Sequence, residues 1–354
     1  MSVLELSREL VGIPSHDDER AAGDYIAEWL REQTAATVRR DEAGNVFAYK
    51  GEGETLALVG HHDVVPPEES QLEDGEYVVE RRGDRLYGRG SADMKGAVAA
   101  AALAFRDAEP SGELVFASFV GEEVGGVGAR HAIEEGFAPD YAVVGEGSTG
   151  YSGPGMTDVA VAHKGRRGST ITATGTAAHA SEPGAGTNAI YRATDAVEMI
   201  RGLETPVVSV AGERLEGKVA VTEIEGGSAM NVVPDRCRVT VDERTVPGER
   251  VPLERVEREG VEWTVDQDLP PMECTDEAFS ESVLEAARLA GEGTPEHVTK
   301  PHATDAGWLS QAGTECVICG PAEPGEAHTA DESVSLEVLR RCREIYRHVA
   351  ESWP

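Results

Sequence analysis

Four short, largely apolar runs limit the folds that are open to this chain. They alternate with segments of helical spacing, which is typical of an α/β domain with a mainly parallel sheet between helices. A strand that is apolar throughout is covered on both of its faces. The runs are Thr55–Gly60, Leu114–Val120, Tyr141–Gly145 and Cys316–Gly320.

Residues with metal-binding side chains follow these runs. His61 comes directly after the first run, the pair Glu122–Glu123 follows the second, and Glu146 follows the third. His328 lies beyond the fourth run. In an open α/β sheet the carboxyl ends of the strands meet in one crevice, where ligands bind. We therefore expect these side chains to converge at one edge of the sheet.

The two imidazoles of His61 and His328, with the three carboxylates of Glu123, Glu146 and Asp93, suit a pair of divalent ions that share one carboxylate. Asp93 is the natural bridge, because it opens a predicted helix over Met94–Asp107 and the helix dipole favours a negative charge there. Zinc is the expected metal, with cobalt and manganese as alternatives, since all three accept this mixture of ligands.

Two further acidic residues are predicted to assist these ligands. Glu122 cannot easily point at the same ion as its neighbour Glu123, and a free carboxylate beside a metal-bound water meets the requirement for a general base. Paired glutamates usually lie on a solvated surface, but this pair runs from an apolar strand into the turn Gly125–Gly128. Asp63 is placed to accept the ring N–H of His61 and so fix its tautomer.

The remaining elements of the first domain follow the same alternation of helices and strands. Asn45–Lys50 and Thr55–Gly60 are predicted as neighbouring strands, followed by a long acidic loop. The other predicted elements there are helices over residues 3–12, 18–33, 276–290 and 335–352.

The pattern changes near residue 160, where strands begin to dominate and to alternate apolar with polar residues. This predicts a smaller α+β domain of ferredoxin-like type, inserted into the first. We expect a discontinuous domain over residues 1–160 and 267–354 and an inserted domain over residues 161–266. The inserted elements are predicted as strands over Ser169–Thr174, Val207–Ala211, Lys218–Glu225, Arg236–Val241 and Val261–Val265, and helices over Asn188–Leu203 and near Pro252–Glu259.

The acidity of the chain limits the kinds of partner it can bind and indicates the ionic strength at which it works. Its 65 acidic residues exceed its 32 basic ones, for a net charge of −33, and the charge is spread along the sequence. Such a surface repels nucleic acid, and it predicts an organism with high internal salt, where the repulsion is screened. The sequence shows neither a run of about 20 apolar residues nor a signal-peptide pattern, so we expect a cytoplasmic protein that does not bind membranes.

The five cysteines are odd in number and irregularly spaced, which predicts reduced thiols and argues against a disulfide framework. Cys316 and Cys319 are close enough to supply half of a zinc site, but no second pair completes it. They lie in a predicted buried strand, where cysteine serves as a small apolar residue.

Taken together and in order, these motifs resemble the M20 family of dizinc amidohydrolases over nearly the whole chain. The matching segments are Gly60–Pro66, Gly88–Lys95, Glu122–Glu123, Val144–Glu146, Ala178–His179, Asn231–Pro234 and Ala327–Glu332. The resemblance implies that His61 and Glu146 hold one ion. It implies that Glu123 and His328 hold the other, and that Asp93 bridges the two.

The resemblance also bears on the inserted domain and on the substrate. It implies that residues 161–266 form a lid that makes a homodimer, and that His179 reaches into the partner's active site to stabilise an oxyanion. The implied reaction removes an acyl group from a small N-acyl amino acid of lysine or arginine biosynthesis, such as N-succinyl-diaminopimelate or N-acetylornithine. At position 146 this chain has glutamate and in this respect resembles the deacylases of the family. The peptidase branch more typically has aspartate at this position.

Two alternatives remain open. A dipeptidase, carboxypeptidase or general aminoacylase would use the same chemistry on another substrate. A binding protein without catalytic activity is the third interpretation, and Glu122 argues against it, because such a protein has no use for a carboxylate base beside a metal pair.

Five residues are predicted to bind the substrate. The segment Gly165–Ser169 resembles the carboxylate-binding segment of succinyl-diaminopimelate desuccinylases, and Arg244 is similarly spaced from the motif that begins at Asn231. Arginine forks bind carboxylates with two hydrogen bonds, although in an acidic chain Arg166 and Arg244 could instead pair with a neighbouring carboxylate. Arg167 is interpreted as a surface ion-pair partner. The predicted residues are Arg244, Asn231, Arg166, Ser169 and Thr304.

Overall fold

A computed structural model of the chain describes residues 1–291 and 293–353. They form two compact units. The first contains Met1–Ala162, Met272–Lys300 and the described residues from Thr304 onward. The second contains His163–Pro271 and Pro301–Ala303.

The described residues contain eight α-helices, and several begin at a side chain that caps the free backbone N–H groups of the first turn. Ser2, Asn188, Asp276 and Ser335 are such caps. The helices are α1 Val3–Val11, α2 Arg20–Gln33, α3 Gly96–Asp107, α4 Val127–Glu134, α5 Ala189–Arg201, α6 Glu277–Ala290, α7 Asp305–Gln311 and α8 Leu336–Ser352.

The strands fall into three groups along the chain. Before the second unit they are β1 Thr37–Arg40, β2 Val46–Lys50, β3 Thr55–His61, β4 Leu72–Glu73, β5 Glu76–Tyr77, β6 Glu80–Arg82, β7 Arg85–Tyr87, β8 Glu113–Phe119, β9 Tyr141–Val144 and β10 Val159–His163. Within the second unit they are β11 Gly165–Thr174, β12 Ala178–His179, β13 Val207–Val210, β14 Glu213–Glu216, β15 Lys218–Gly226, β16 Val232–Val233, β17 Arg236–Thr245 and β18 Val261–Leu269. The last group is β19 Met272–Glu273, β20 His297–Lys300, β21 Glu315–Ile318 and β22 Ser333–Ser335.

The first unit is built on a sheet with the strand order β1-β2-β8-β3-β9-β21-β10-β19, and β20 pairs with β10. The central strands β8, β3, β9 and β21 run parallel, and β2 and β10 run antiparallel at their flanks. The predicted mainly parallel sheet is therefore confirmed. Strand β8 lies in the interior of the sheet, between β2 and β3, and is therefore buried along almost its whole length.

Helices cover both faces of this sheet. On one face, Ala129 and Ala132 of α4 and Leu309 of α7 join the apolar residues of the strands in one buried cluster. On the other face, the alanine-rich helix α3 packs against β3 and β8 and is itself covered by α8. Small alanine side chains let α3 approach the strands closely, which places its N-terminal end beside the carboxyl end of β3.

Three details of the first unit differ from the sequence-based predictions. The strands β2 and β3 are not neighbours, because β8 lies between them and pairs with both. The predicted helix over Met94–Asp107 begins at Gly96, since Asp93 and Met94 have non-helical backbone angles. The acidic loop after β3 contains the short strands β4 to β7, of which β7 pairs with β22.

The second unit contains a four-stranded antiparallel sheet with the order β15-β17-β11-β18. Helix α5 and the 3₁₀ turn Leu253–Val256 pack on one face of it through a shared apolar cluster. The chain order β11-α5-β15-β17-turn-β18 is that of a ferredoxin-like fold with its second helix shortened. The ferredoxin-like prediction is confirmed, although the predicted helix near Pro252–Glu259 is only this 3₁₀ turn.

Candidate metal centre

The proposed ligands of the first unit lie at one edge of the central sheet. His61 is the last residue of β3, and Glu146 follows the end of β9 by two positions. Glu123 follows β8, and His328 lies in the segment between β21 and β22. Since β3, β8, β9 and β21 are parallel, their carboxyl ends face the same way.

Asp93 stands between two histidines. Its Oδ1 lies 3.0 Å from Nε2 of His61, and that nitrogen is also 3.4 Å from Oε1 of Glu146. Its Oδ2 lies 3.1 Å from Nε2 of His328, which is 2.9 Å from Oε1 of Glu123. The two oxygens of one carboxylate therefore face two separate histidine–glutamate pairs.

Possible ligand atoms also approach one another closely in two overlapping groups. One contains His61, Glu122 and Glu146, and the other contains His61, Asp93 and Glu123. Within each group the ligand atoms lie within 4.8 Å of one another. Glu122 is thus close enough to this cluster to act on a group bound there.

The hydrogen bond of the other His61 ring nitrogen bears on its tautomer. Nδ1 of His61 lies 3.1 Å from the backbone carbonyl oxygen of Asp63, which can only accept a hydrogen bond. Nδ1 therefore carries a proton, and in the neutral ring Nε2 presents its lone pair to the carboxylates of Asp93 and Glu146. A cation between these atoms would make all of these contacts attractive.

The structure modifies the predicted role of Asp63. Its main-chain oxygen accepts the hydrogen bond from His61, while its carboxylate Oδ1 lies 3.3 Å from the same ring nitrogen. Its Oδ2 accepts the backbone N–H of Glu123 at 3.0 Å. Asp63 therefore orients the loop that carries Glu123 as well as the ring of His61.

The electrostatics of the cluster fit a bound cation. Burial raises the pKa of Glu122 well above its ordinary value, and the neighbouring carboxylates of Asp305 and Glu146 raise it further. Burial also raises the pKa of Glu123. Hydrogen bonds to Asp93 and Glu123 raise the pKa of His328 to about 10. Carboxylates crowded in this way hold protons unless positive charge neutralises them, so the donor set suits a pair of divalent ions.

A tight turn presents Glu122 and Glu123. Gly126 has a φ of 71°, and its N–H donates to the carbonyl oxygens of Gly121 and Glu122. At Gly128 a Cβ atom would come within 2.5 Å of the carbonyl oxygen of Val120. The glycines of this turn therefore allow two adjacent carboxylates to leave the strand end together.

Two buried residues near this cluster had no predicted role. Asp305, the first residue of α7, is buried, and among the described residues neither of its carboxylate oxygens has a hydrogen-bond partner. Burial raises its pKa to about 8, and the carboxylates of Asp63 and Glu146 add to the shift. Lys300 is also buried, with Nζ 3.7 Å from Oε2 of Glu146. Nothing in the sequence marked either residue, since each is a single charged residue outside the matching segments.

The predicted substrate-binding residue Thr304 caps a helix. Its Oγ1 accepts the backbone N–H of Ala306 at 3.2 Å and so begins α7. This cap fixes the position of the neighbouring Asp305.

The other predicted substrate-binding residues, together with His179, belong to the second unit. Arg166 and Arg244 lie opposite each other on β11 and β17, and both bind the carboxylate of Asp242. Their Nε atoms are 2.7 and 2.8 Å from its oxygens, and both side chains are partly exposed. Ser169 is fully buried, and its Oγ has no partner among the described residues.

His179 and Asn231 are joined by the two-stranded ribbon of β12 and β16. The N–H of Ala180 donates to the carbonyl oxygen of Asn231 at 2.9 Å, and His179 pairs with Val232. His179 is exposed, and its Nδ1 lies 2.7 Å from Oγ of Ser181. Nε2, the other nitrogen of the ring, takes no part in this contact.

The prediction that Arg167 is a surface ion-pair partner is wrong about its location. Arg167 is buried, and its Nε donates to Oε2 of Glu243 at 2.6 Å. Its Nη2 donates to the carbonyl oxygen of Val251, and its guanidinium lies over the ring of Trp263. The bulge between Gly168 and Ser169 shifts the register of β11 against β18, so simple alternation along the strand does not predict which side chains are buried.

The chain is similar to known proteins over almost its whole length. Residues 57–352 match the model of a protein family that is described as Peptidase family M20/M25/M40. An acetylornithine deacetylase from Myxococcus xanthus is 33% identical over 334 residues, covering 86% of this chain and 84% of that protein. A putative [LysW]-lysine/[LysW]-ornithine hydrolase from Pyrobaculum aerophilum is 31% identical over 353 residues, covering 95% and 93%.

The fold is shared with a solved structure of a dinuclear metal-binding peptidase of family M20 from Bacillus subtilis. The TM-score is 0.72 at 17% identity, with 98% of this chain and 96% of that chain covered. Since the family match spans most of the chain, the protein belongs to peptidase family M20/M25/M40. It is accordingly a metal-dependent hydrolase of carbon–nitrogen bonds.

Each helix in the described part of the chain is too short or too polar to cross a bilayer.

Proposed function

We propose that this hydrolase removes the acyl group from a small N-acyl amino acid of lysine or arginine biosynthesis. The observation that carries the proposal is the convergence of His61, Asp93, Glu123, Glu146 and His328, with Glu122 beside them. The names of the two relatives support the substrate class, because one has acetylornithine as its substrate and the other releases lysine or ornithine.

The donor set fits two divalent ions. His61 and Glu146 would hold one, and Glu123 and His328 would hold the other, with Asp93 shared between them. When bound, such ions polarise the carbonyl of the substrate and lower the pKa of water. We propose zinc, with cobalt or manganese as alternatives, because all three accept imidazole and carboxylate ligands.

The residues of this chain account for the proton transfers. The Glu122 carboxylate takes a proton from the attacking water, and it then gives this proton to the nitrogen of the leaving amine. Its buried position favours this exchange, because burial raises the pKa of Glu122 above its ordinary value and so makes its carboxylate a stronger base. Asp63 assists indirectly by holding the ring of His61 and the loop of Glu123.

We further propose that the second unit acts as a lid and as the dimer contact. His179 would stabilise the oxyanion formed at the carbonyl, acting from the partner subunit as the family resemblance implies. Arg244 and Arg166 would bind a carboxylate of the substrate after exchanging their contacts with Asp242. Ser169 is the weakest of the proposed substrate residues, since its side chain is fully buried.

A second candidate activity has a specific observation in its favour. The Pyrobaculum relative is 31% identical to this chain over 353 residues, and the match covers 95% of this chain. Release of lysine or ornithine from the group that its name writes as LysW would use the same cluster of residues. A dipeptidase or general aminoacylase is the remaining alternative.

The substrate class can be decided by one comparison of catalytic efficiencies. Purified protein in concentrated KCl, loaded in turn with zinc, cobalt or manganese, would be offered N-acetylornithine, N-succinyl-diaminopimelate, N-acetyllysine, N-acetylmethionine and simple dipeptides. A clear preference for the first two supports the proposal. A higher kcat/KM for dipeptides or for acetylmethionine would contradict it. Activity only on lysine or ornithine joined to the group that the name of the Pyrobaculum relative writes as LysW would favour the second candidate.

The role of His179 can be tested by mixing two inactive variants. His179→Ala retains Glu122 in its own subunit, and Glu122→Gln retains His179. If the histidine acts across a dimer, a mixed dimer contains one complete site, and activity returns on mixing and re-association. If it acts within one subunit, the mixture stays inactive.

A further inference from the structure

The segment that carries Asp93 lies outside regular structure. Asp93 has backbone angles of −128° and 97°, and Met94 has −133° and 31°, so neither belongs to helix α3, which begins at Gly96. Helical hydrogen bonds therefore do not hold Asp93 in place. A shared metal ligand needs a fixed position, because it must reach two ions at once.

A buried carboxylate holds this segment instead. Oε1 of Glu332 accepts the backbone N–H of Ala92 at 3.0 Å and that of Asp93 at 3.1 Å. Its other oxygen, Oε2, accepts from Nη1 of Arg89 at 2.5 Å. Arg89 and Glu332 are among the most buried charged residues, with side chains 2% and 1% exposed. One side chain thus binds both ends of the segment from Arg89 to Asp93.

Glu332 is itself held by its backbone. Its carbonyl oxygen accepts the N–H of Gly88 at 3.1 Å, and the next residue, Ser333, pairs with Tyr87 between β22 and β7. Glu332 also lies only four positions beyond His328. The segment that supplies the second histidine is therefore the same one that fixes the backbone of Asp93.

We propose that Glu332, oriented by Arg89, is a positioning residue that sets Asp93 between the two metal ions. The inference rests on the dinuclear function proposed above and adds a residue to it. Glu332 would serve neither as a metal ligand nor as a substrate contact. It acts through the backbone of Asp93, and Arg89 acts by holding the Glu332 carboxylate in one orientation.

The decisive variant is Glu332→Gln, which keeps the size of the side chain. A glutamine cannot accept from Arg89 on one side and from two backbone N–H groups on the other, because one of its two polar atoms is itself a donor. We expect the affinity of the folded variant for Co²⁺ to fall by about tenfold or more at one of the two sites, relative to the wild type. Losses of this size are typical of residues that orient metal ligands. We also expect weaker magnetic coupling between two bound Co²⁺ ions in electron paramagnetic resonance, because a displaced Asp93 no longer joins them.

The chain offers a matched control and a milder variant. Arg85 and Glu326 form an ion pair between the same two stretches of chain, but among the described residues Glu326 has no hydrogen bond to the segment of Asp93. Glu326→Gln should leave Co²⁺ affinity and coupling unchanged. Glu332→Asp keeps the charge opposite Arg89 but draws the oxygens back from the backbone, and it should show the same loss to a smaller extent. If Glu332→Gln does not fold, this variant decides.

The outcomes separate this inference from the proposed function. Unchanged Co²⁺ affinity and coupling in a folded Glu332 variant would overturn it, and so would an equal loss in Glu326→Gln. In either case the wild-type protein would still bind two ions and hydrolyse its substrate. A wild-type protein that binds no ion pair at all would instead overturn the proposed function, and the role of Glu332 with it.

Discussion

Nε2 of His328 lies 3.1 Å from Oδ2 of Asp93, although the two residues are 235 positions apart in the chain. The backbone of His328 has a φ of 60°, a conformation that residues other than glycine rarely adopt. The surrounding fold therefore holds this residue in an unfavourable conformation, and the gain is that its ring faces the shared carboxylate. Strain of this kind is common at functional sites.

The shared position of Asp93 predicts that its loss affects both ions. In Asp93→Ala we expect fewer bound ions per chain and no measurable turnover, because both histidine–glutamate pairs lose the carboxylate between them. Metal content after gel filtration measures this. The exposed Asp17→Ala is the control, and a full complement of metal in Asp93→Ala would count against the shared role.

Glu122→Gln should separate metal binding from turnover. The substitution keeps the shape of the side chain but removes the base, so we expect kcat to fall by about 10²–10⁴-fold while the metal content is retained. Glu123→Gln, at the next position, should instead lose metal, because Glu123 contacts His328. Residual activity near that of the wild type in Glu122→Gln would remove it as the general base.

Asp305 should make the stability of the metal-free protein depend on pH. Its pKa is raised from 3.8 to about 8, so the folded state binds this proton more tightly than the unfolded state does. The contribution of the protonated form is complete below about pH 4 and is lost as the pH rises through about 8. Relative to Asp305→Asn, which stays neutral, the metal-free wild type should become less stable between pH 5 and 8. Parallel melting curves for the two proteins over this range would refute the expectation.

Low salt should destabilise the protein. With a net charge of −33, repulsion between surface carboxylates is screened at about 1 M salt, where the Debye length is about 3 Å, but not in dilute buffer. We expect the melting temperature and the activity to fall on dialysis against low salt and to recover when KCl is returned. Sucrose at the same osmolarity is the control, since it does not screen charge. Equal stability at both ionic strengths would exclude an adaptation to salt.

The buried ion pair of Arg167 and Glu243 should contribute more to the unfolding free energy of the second unit than the partly exposed pair of Arg166 and Asp242. Glu243→Gln leaves a buried guanidinium without its counter-charge, and we expect a loss of about 3–5 kcal/mol in the unfolding free energy of the second unit. Arg166→Gln removes a partly exposed ion pair and should change it by about 1 kcal/mol or less. Hydrogen exchange of the backbone amides in the second unit, followed against denaturant concentration, measures both losses. Equal effects would mean that burial does not decide the strength of these pairs.

Much of the fold could be predicted from local patterns. The helices α2, α5 and α8 begin and end within two residues of their predicted bounds, because apolar spacing and capping residues are properties of short stretches of sequence. The parallel strands were recognisable because a strand covered on both faces is apolar throughout. The convergence of His61 and Glu146 followed from the same rule, since parallel strands end at one edge.

What the sequence by itself determined was therefore the class of fold, the family and the set of residues proposed as ligands. Only the tertiary structure decided that β8 separates β2 from β3, that the helix after Asp93 begins only at Gly96, and that Glu332 holds Asp93 in place. It also decided that Arg167 is buried and that Asp305 lies near the ligands. The physical reason is that these relationships join residues far apart in the chain, and their geometry depends on how whole elements pack and not on the periodicity of any one of them.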